Sequence, residues 1–340
     1  MSKGKLYRVS MRFSSPLHIG EKEKIYNITQ TFAHSDTLMS GIINAYSLLY
    51  GNSSTNELLD GFLRKSPPFE VSSTMPYVQG EFFVPKPVGL NLHHYKDKGK
   101  IEVENDKELK KIKFIRENDL LYDFTDNFPG KYKVAGSFLL PKDMLYKLVE
   151  NKKTISLGKV KERARVSIDR LSSSSNIYYF SQFEFENNAG LWFYLRINDQ
   201  SLEEKIRAAI RLLGDEGLGG DRTCGLGSFE AEFEESSMPE ENDRAKYYMS
   251  LSLVNPQSED EIKRALYYEI LTRSGYIYSK AGLGIKRKAV RVFSEGTVFS
   301  GKVCGRVVDV TPQKFSQHRV YCFALAFLLP LPEGVMMIGS

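Results

Sequence analysis

Apolar and polar positions alternate in KLYRVSMRF, the period-two rhythm of a half-buried strand. The rhythm then becomes helical. In SDTLMSGIINAYSLLYG, Leu38, Ile42, Ala45 and Leu49 share one face, with Ser35 or Asp36 placed to cap the helix and Gly51 to end it. NELLDGFLRKS predicts a second short helix, and FEVSSTMPYVQGEFFVPKP returns to strand character before two prolines close it. IYYFSQFEFENNAGLWFYLRIN predicts two strands joined through ENNAG. SLEEKIRAAIRLLGDEG predicts an amphipathic helix that buries Leu202, Ile206, Ala209, Ile210 and Leu213, with Ser201 and Glu204 as a capping box. SFEAEFE follows as a strand. Past an acidic boundary near 230–245, the order recurs: a strand in KYYMSLSLVNP, a helix in SEDEIKRALYYEILTRSG with Ile262, Leu266 and Ile270 inward, then further strands. This predicts an α+β protein of two ferredoxin-like (RRM-like) domains, over 1–235 and 245–340. Residues 91–160 break the pattern. They are lysine-rich, with one predicted helix at about 105–121 and no clear alternation, and are expected to be an insertion rather than core.

Composition narrows the class. A chain of 340 residues, 41% hydrophobic and 26% charged, has room for two globular cores. No apolar run approaches the roughly 20 residues that span a bilayer, and MSKGKLYRVS lacks a signal-peptide core. Cys224, Cys304 and Cys322 have neither pairing symmetry nor metal-ligand spacing, which fits a reducing cytoplasm, with no membrane and no metal. The net charge is +5, and its distribution matters more than its size. Residues 141–170 carry nine Lys or Arg against four Asp or Glu, an excess equal to the whole net charge. Residues 228–243 carry seven acids and no base. The basic stretch is either a solvated loop or a polyanion contact, since clustered cations release counterions on meeting phosphates.

The densest chemical signal is GLGGDRTCGLGSFE, residues 217–230. A dinucleotide loop follows a strand and opens a helix, so that the helix N-terminus holds the pyrophosphate. Here the glycines follow a helix and enter a strand, and no G-K-[ST] is present. The order argues against a nucleotide cofactor, and no other cofactor is indicated.

GLGGDRTCGLGSF resembles instead the glycine-rich loop of the RAMP superfamily, the repeat-associated RNA-binding proteins of CRISPR systems. HSDTLMSGI, FFVPKPVGL, KKIKFI, RVSIDRLSSSSNIYYF, LTRSGYIYS and EGTVFSGKVCGRVVDVTP, in that order from about residue 5 to 329, are similar to the fourth-subunit family of type III-A (Csm) effector complexes. The resemblance implies a non-catalytic subunit that grips the repeat-derived 5′ tag of the guide RNA (crRNA). It also implies two protein partners, the large polymerase-like subunit and the first backbone subunit. Target selection would be left to base pairing by the guide.

On this resemblance the expected RNA contacts are Arg222, with its guanidinium fork, and the backbone of Gly219, Gly220, Gly225 and Gly227. Arg163 and Arg165 alternate onto one side of a strand, with Arg170 nearby, as a phosphate-tracking row. His34 and Ser35, Lys86 between its two prolines, and Lys286 with Arg287 complete the set. Lys286 and Arg287 suit either RNA or an acidic partner. Three rival readings stand beside this one: a guide-processing endoribonuclease using His34 as general acid or base, a backbone subunit cutting target RNA with Asp36, and an RNA-binding module outside CRISPR. Tyr178, Tyr179, Phe180 and Trp192 are expected in the core, and Cys224 as a small packed side chain.

Overall fold

The computed structural model describes residues 4–20, 29–125, 130–148, 155–168, 175–237, 245–277 and 284–339. The strand Lys5–Phe13 buries Tyr7, Val9 and Met11, as its alternation requires. It lies between Phe229–Glu235 and Ala189–Ile197, antiparallel to both, and Ala189–Ile197 pairs onward with Met75–Val78 and Phe69–Val71. In chain order the strands of this unit run fourth, first, third, second. The helices Ser35–Leu63 and Glu203–Glu216 share one core with this part of the sheet, through Leu38, Ile42, Ala45, Ile206, Ala209, Ile210 and Leu213. Ala189–Ile197 is buried on both faces. Leu191, Phe193 and Leu195 face the helices, while Trp192 and Tyr194 enter a second core, which explains its unbroken apolar run.

Both expected helix caps are replaced. His34, not Ser35 or Asp36, occupies the N-cap of the first helix and makes no capping side-chain bond. Gly51, at φ 76° and ψ 176°, breaks the run 35–63 into two helices, as the expected end at Gly51 and the second short helix require, while Leu49 is exposed. Ahead of the helix Glu203–Glu216, Asp199 takes the capping place by accepting the Ser201 amide and hydroxyl over a short 3₁₀ turn, so the Ser201–Glu204 box does not form.

Residues 91–160 are not a loose insertion. Glu81–Pro85, Phe114–Arg116, Phe138–Pro141, Tyr132–Ala135 and Ile101–Glu102 carry the main sheet on to ten strands, two of their pairings parallel. Tyr95, Leu109, Ile115, Phe124, Tyr132 and Leu139 join the core around Trp192 and Tyr194. The predicted helix over 105–121 shrinks to Asp106–Lys111, followed by the strand Phe114–Arg116. Strands of two to five residues are too short to display an alternation, and the lysines between them disguise buried positions as a polar segment.

In the second half, Tyr248–Ser250, Ala265–Tyr267, Val298–Phe299 and Leu328–Pro330 form a four-stranded sheet. Its neighbours again run fourth, first, third, second. Its helix covers only Glu259–Arg264, capped by Ser258, because the following LYYEILT is dense in β-formers and pairs as strands. Ile262 and Ile270, expected inward, are consequently 52% and 57% exposed. Among the described residues no helix is long and apolar enough to cross a membrane.

Trp192 is fully buried, with Nε1 donating to the carbonyls of Pro76 and Phe83 at 3.1 Å each. Trp192→Ala is expected to cost about 3–5 kcal/mol of stability. A denaturation midpoint within error of wild type would contradict this packing.

Candidate nucleic-acid interface

Gly158–Ile168 and Ser175–Phe185 form a two-stranded antiparallel ribbon outside the main sheet. Its register sets Arg165 opposite Tyr178 and Arg163 opposite Phe180. Period-two alternation then places Lys159, Lys161, Arg163 and Arg165 on one face, as expected for the two arginines. The other face carries Val160, Val166, Ile168, Ile177 and Tyr179, all exposed. Lys161 is paired with Glu184, and Arg163 is exposed. Arg170 lies outside the described residues.

The segment through His18 ties this ribbon to the glycine loop. Leu17 exchanges both backbone hydrogen bonds with Phe183, at 2.7 and 2.8 Å, while the His18 carbonyl accepts the Gly220 amide at 2.8 Å. The buried His18 ring donates from Nδ1 to the Ser181 carbonyl at 2.7 Å and leans on Phe180, 4.2 Å between centroids. Burial lowers the pKa of this imidazole, against the smaller pull of the Ser181 bond. On Phe180 the Arg165 guanidinium also rests, 4.2 Å from the centroid, and it pairs with Asp221 of the loop. Burial works against its charge most strongly, but Asp221 and Tyr178 together override it and raise the pKa. Asp221 stands at φ 62°, a left-handed position that Asp tolerates.

The glycines have a structural reason of their own. A side chain at Gly219 would overlap the His18 carbonyl, and one at Gly227 the Leu218 carbonyl. The expectation that their amides point at phosphate is corrected in part. Gly220, Gly225 and Gly227 donate to the carbonyls of His18, Arg222 and Pro16. What the loop presents outward is the turn Arg222–Cys224, with Arg222 half-buried and Thr223, Cys224 and Gly225 exposed. Cys224 is thus not packed, nor is Tyr179, while Phe180 and Trp192 are buried as expected.

His34 and Ser35 lie elsewhere and are buried, against the expectation that they contact RNA. His34 Nδ1 donates to Glu295 Oε1 at 2.8 Å, and the Ser73 hydroxyl donates to the same oxygen. Ser35 Oγ accepts the Leu253 amide at 3.1 Å. Asp36, 1% exposed, receives Arg273 Nε and Nη2 at 3.1 and 2.9 Å and Arg287 Nη2 at 3.0 Å. Burial would raise its pKa, but the two guanidiniums override that and hold the carboxyl well below the usual carboxylate range. Burial likewise opposes ionisation of Glu295, and His34 with Ser73 prevails to lower its pKa. Beside Asp36 the buried Cys322 thiol is pushed up to about 12, mainly by burial.

The HSD triplet is therefore a bolt between the two halves of the chain, and Arg287 is spent on it rather than facing solvent. Lys286 is exposed, 5.7 Å from the Tyr276 ring centroid. Lys86 is half-buried at the same junction, its pKa lowered by burial and partly restored by Glu269. Sequence reasoning missed Arg273, Glu295, Ser73, Asp221 and His18. Each is one half of a pair more than 35 residues apart in sequence, which no local pattern reveals.

Residues 11–230 match the model of the RAMP superfamily, and residues 243–331 match the CRISPR Csm4 C-terminal domain. The CRISPR system Cms protein Csm4 of Methanocaldococcus jannaschii is 26% identical over 375 residues, covering 96% of this chain and 97% of that protein. Its counterpart in Thermococcus onnurineus is 27% identical, covering 88% and 93%. Among solved structures, a Csm3–Csm4 subcomplex of a type III-A interference complex superposes with a TM-score of 0.63 at 21% identity, covering 96% of this chain and 99% of that one. A Csm1–Csm4 cassette in complex with cA4 gives 0.57 at 20%, covering 97% and 100%.

Two outcomes follow from this geometry. Gly227→Ala is expected to destabilise the chain more than Gly225→Ala, because a side chain at Gly225 meets open space and adds only backbone strain of about 1 kcal/mol. Equal melting temperatures for the two would contradict the close approach. Asp36→Ala is expected to cost about 3–5 kcal/mol at neutral pH by leaving buried cations uncompensated. An ionised Asp36 contributes stability above the unfolded carboxyl pKa of about 3.9 and loses it as pH falls. The gap between wild type and Asp36→Ala should therefore narrow below about pH 4, and a pH-independent gap would contradict the pairing.

Proposed function

Because the chain belongs to the RAMP superfamily, we propose that it is the end subunit of a type III-A CRISPR effector complex, which binds the 5′ repeat-derived tag of the guide RNA. In this reading it also joins the large polymerase-like subunit to the backbone subunits. One observation carries the RNA assignment: the ribbon's row of Lys159, Lys161, Arg163 and Arg165 meets the glycine loop through Phe180 and Asp221. Cations at alternate positions track a phosphate backbone, and Tyr178 among them offers a ring to an unstacked base.

The RNA set is accordingly Arg163, Arg165 and Arg222 with the exposed turn at Gly225, extended by Lys159 and Lys161. Gly219, Gly220 and Gly227 shape that turn, and Arg170, outside the described residues, is kept as a proposed contact. His34 and Asp36 are committed to buried pairs, so the role is non-catalytic. The two protein partners are supported by the relatives' structures, which contain Csm3 in one case and Csm1 in the other. The recurrent fourth, first, third, second strand order supports reading both halves as ferredoxin-like units. In the second, the hairpin Gly305–Asp309/Tyr321–Leu325 stands where the second helix would be.

The test is fluorescence anisotropy of the purified chain with two short RNAs, one bearing the host's repeat tag and one with it scrambled, over a salt series. Tighter binding to the true tag is expected, with Arg163→Ala and Arg222→Ala each lowering the log–log salt slope by roughly 0.7, the value for one phosphate on a single strand. Equal affinity for both RNAs would refute tag recognition, and slopes unmoved by either variant would refute the interface.

A further inference from the structure

Gln182 is 1% exposed, and among the described residues neither its Oε1 nor its Nε2 has a hydrogen-bond partner. Arg8 and Arg207 also leave Nε unpaired, but their other nitrogens bind Glu117 and Glu203. The Gln182 amide has no such compensation at either end. Burying an amide with both its donor and its acceptor unmatched is costly, and a methionine of similar size would avoid the cost. An amide kept at such a place calls for a role.

Its surroundings are those of the proposed RNA face. Within the ribbon, Lys161 stands opposite Gln182 and Lys159 opposite Glu184. On the other side of the same strand, Leu17 pairs with Phe183. One step further in that antiparallel register, His18 falls opposite Gln182, and its ring reaches the diagonal neighbour Phe180, 4.2 Å between centroids. Gln182 therefore shares one face with Lys159, Lys161, Arg163 and Arg165, and lies between Lys161 and His18. Lys161 and Glu184, which flank it, are bound to one another with side chains 43% and 40% exposed. So open an ion pair contributes little, and a phosphate arriving at Lys161 displaces Glu184 at small cost. His18 offers a further acceptor, since Nδ1 is committed to the Ser181 carbonyl and the lone pair of the neutral ring lies on Nε2.

The amide itself selects the kind of ligand. Phosphate oxygens only accept, so a phosphate would leave Oε1 unmatched. A base edge sets a donor beside an acceptor and can match both ends at once. A protein main chain offers the same pair of groups, but the row of cations around the amide favours a polyanion.

We propose that Gln182 is a base-reading residue, whose amide pairs with the edge of one unstacked base of the tag while Lys161 and Arg163 hold the flanking phosphates. This rests on the reading of the ribbon and the glycine loop as the tag-binding surface. It adds the side chain that distinguishes one base from another there.

The experiment is anisotropy of the full chain with the tag RNA and with a set in which each tag position in turn carries the other three bases. Wild type is expected to lose affinity about tenfold at the position that Gln182 reads, within the range of a bidentate pair between side chain and base. Gln182→Met keeps the size and removes the amide. It is expected to bind all four bases equally at that position, with the preferences elsewhere and the salt slope unchanged. Without RNA the same variant is expected to melt about 2 °C above wild type, because it no longer buries an unmatched amide. Damaged packing alone would instead lower the melting temperature and weaken every RNA together.

If Gln182→Met keeps the whole wild-type pattern of base preference while Arg163→Ala lowers the salt slope, the amide reads no base and the ribbon surface survives. If wild type prefers no base at any position, tag recognition falls and the role of Gln182 with it. A Gln182→Met chain that melts lower, or does not fold, would mean that the amide is matched within the free protein, and would overturn the assignment. Intact base preference with loss of large-subunit or backbone-subunit capture would mark Gln182 as a protein contact and overturn it likewise.

Discussion

The arrangement of the molecule depends on two buried carboxylates that cross between its halves in opposite directions. Asp36 of the first half is held by Arg273 and Arg287 of the second, and Glu295 of the second half by His34 and Ser73 of the first. Each carboxylate is stable as an ion only while its partners are in place, because an unpaired charge at that depth is costly. The halves are thus held in one relative position by charge geometry as well as by the apolar core that Trp192 and Tyr194 share with Met249, Phe327 and Leu329. Surfaces on both halves are thereby presented at a set spacing, as a subunit bridging other chains and a guide RNA would require.

The glycine loop works by a related economy. Its glycines bring the chain against the His18 segment, and that segment is in turn laced to the root of the ribbon. Arg165, stacked on Phe180 and paired with Asp221, closes the circuit. The loop and the cation row are one construction, so a helix C-terminus, unfavourable to anions, can stand behind the turn proposed to bind RNA. On the proposed reading the anion would be met by side chains carried on the ribbon and the turn rather than by the helix dipole.

Much of this was legible in the sequence. The strand Lys5–Phe13, the buried face of Glu203–Glu216 and the one-sided placement of Arg163 and Arg165 follow from periodicity, because in each the element is long enough for its period to repeat. The strands between 101 and 141 were not legible, since two to four residues do not establish a period. SEDEIKRALYYEILTRSG read as a helix because its apolar spacing satisfies that template, yet YYEILT prefers strands and found pairing partners in Val298–Phe299 and Val290–Phe293. His34 and Asp36 looked like catalytic or RNA-facing groups because a polar triplet at a helix start usually faces solvent. Only the partners from more than 200 residues away show that it does not. The resemblance to the fourth-subunit family of type III-A complexes, by contrast, rested on six blocks whose order is read in the sequence itself.

The most direct test of the account is to photo-crosslink the full chain to tag RNA carrying 4-thiouridine and map the attached peptides by mass spectrometry. The account predicts attachment on the ribbon strands Gly158–Ile168 and Ser175–Phe185 and on the turn Arg222–Cys224, with the peptide around His34 unlabelled. Crosslinks concentrated at His34–Asp36, with the ribbon and the glycine turn unlabelled, would contradict it.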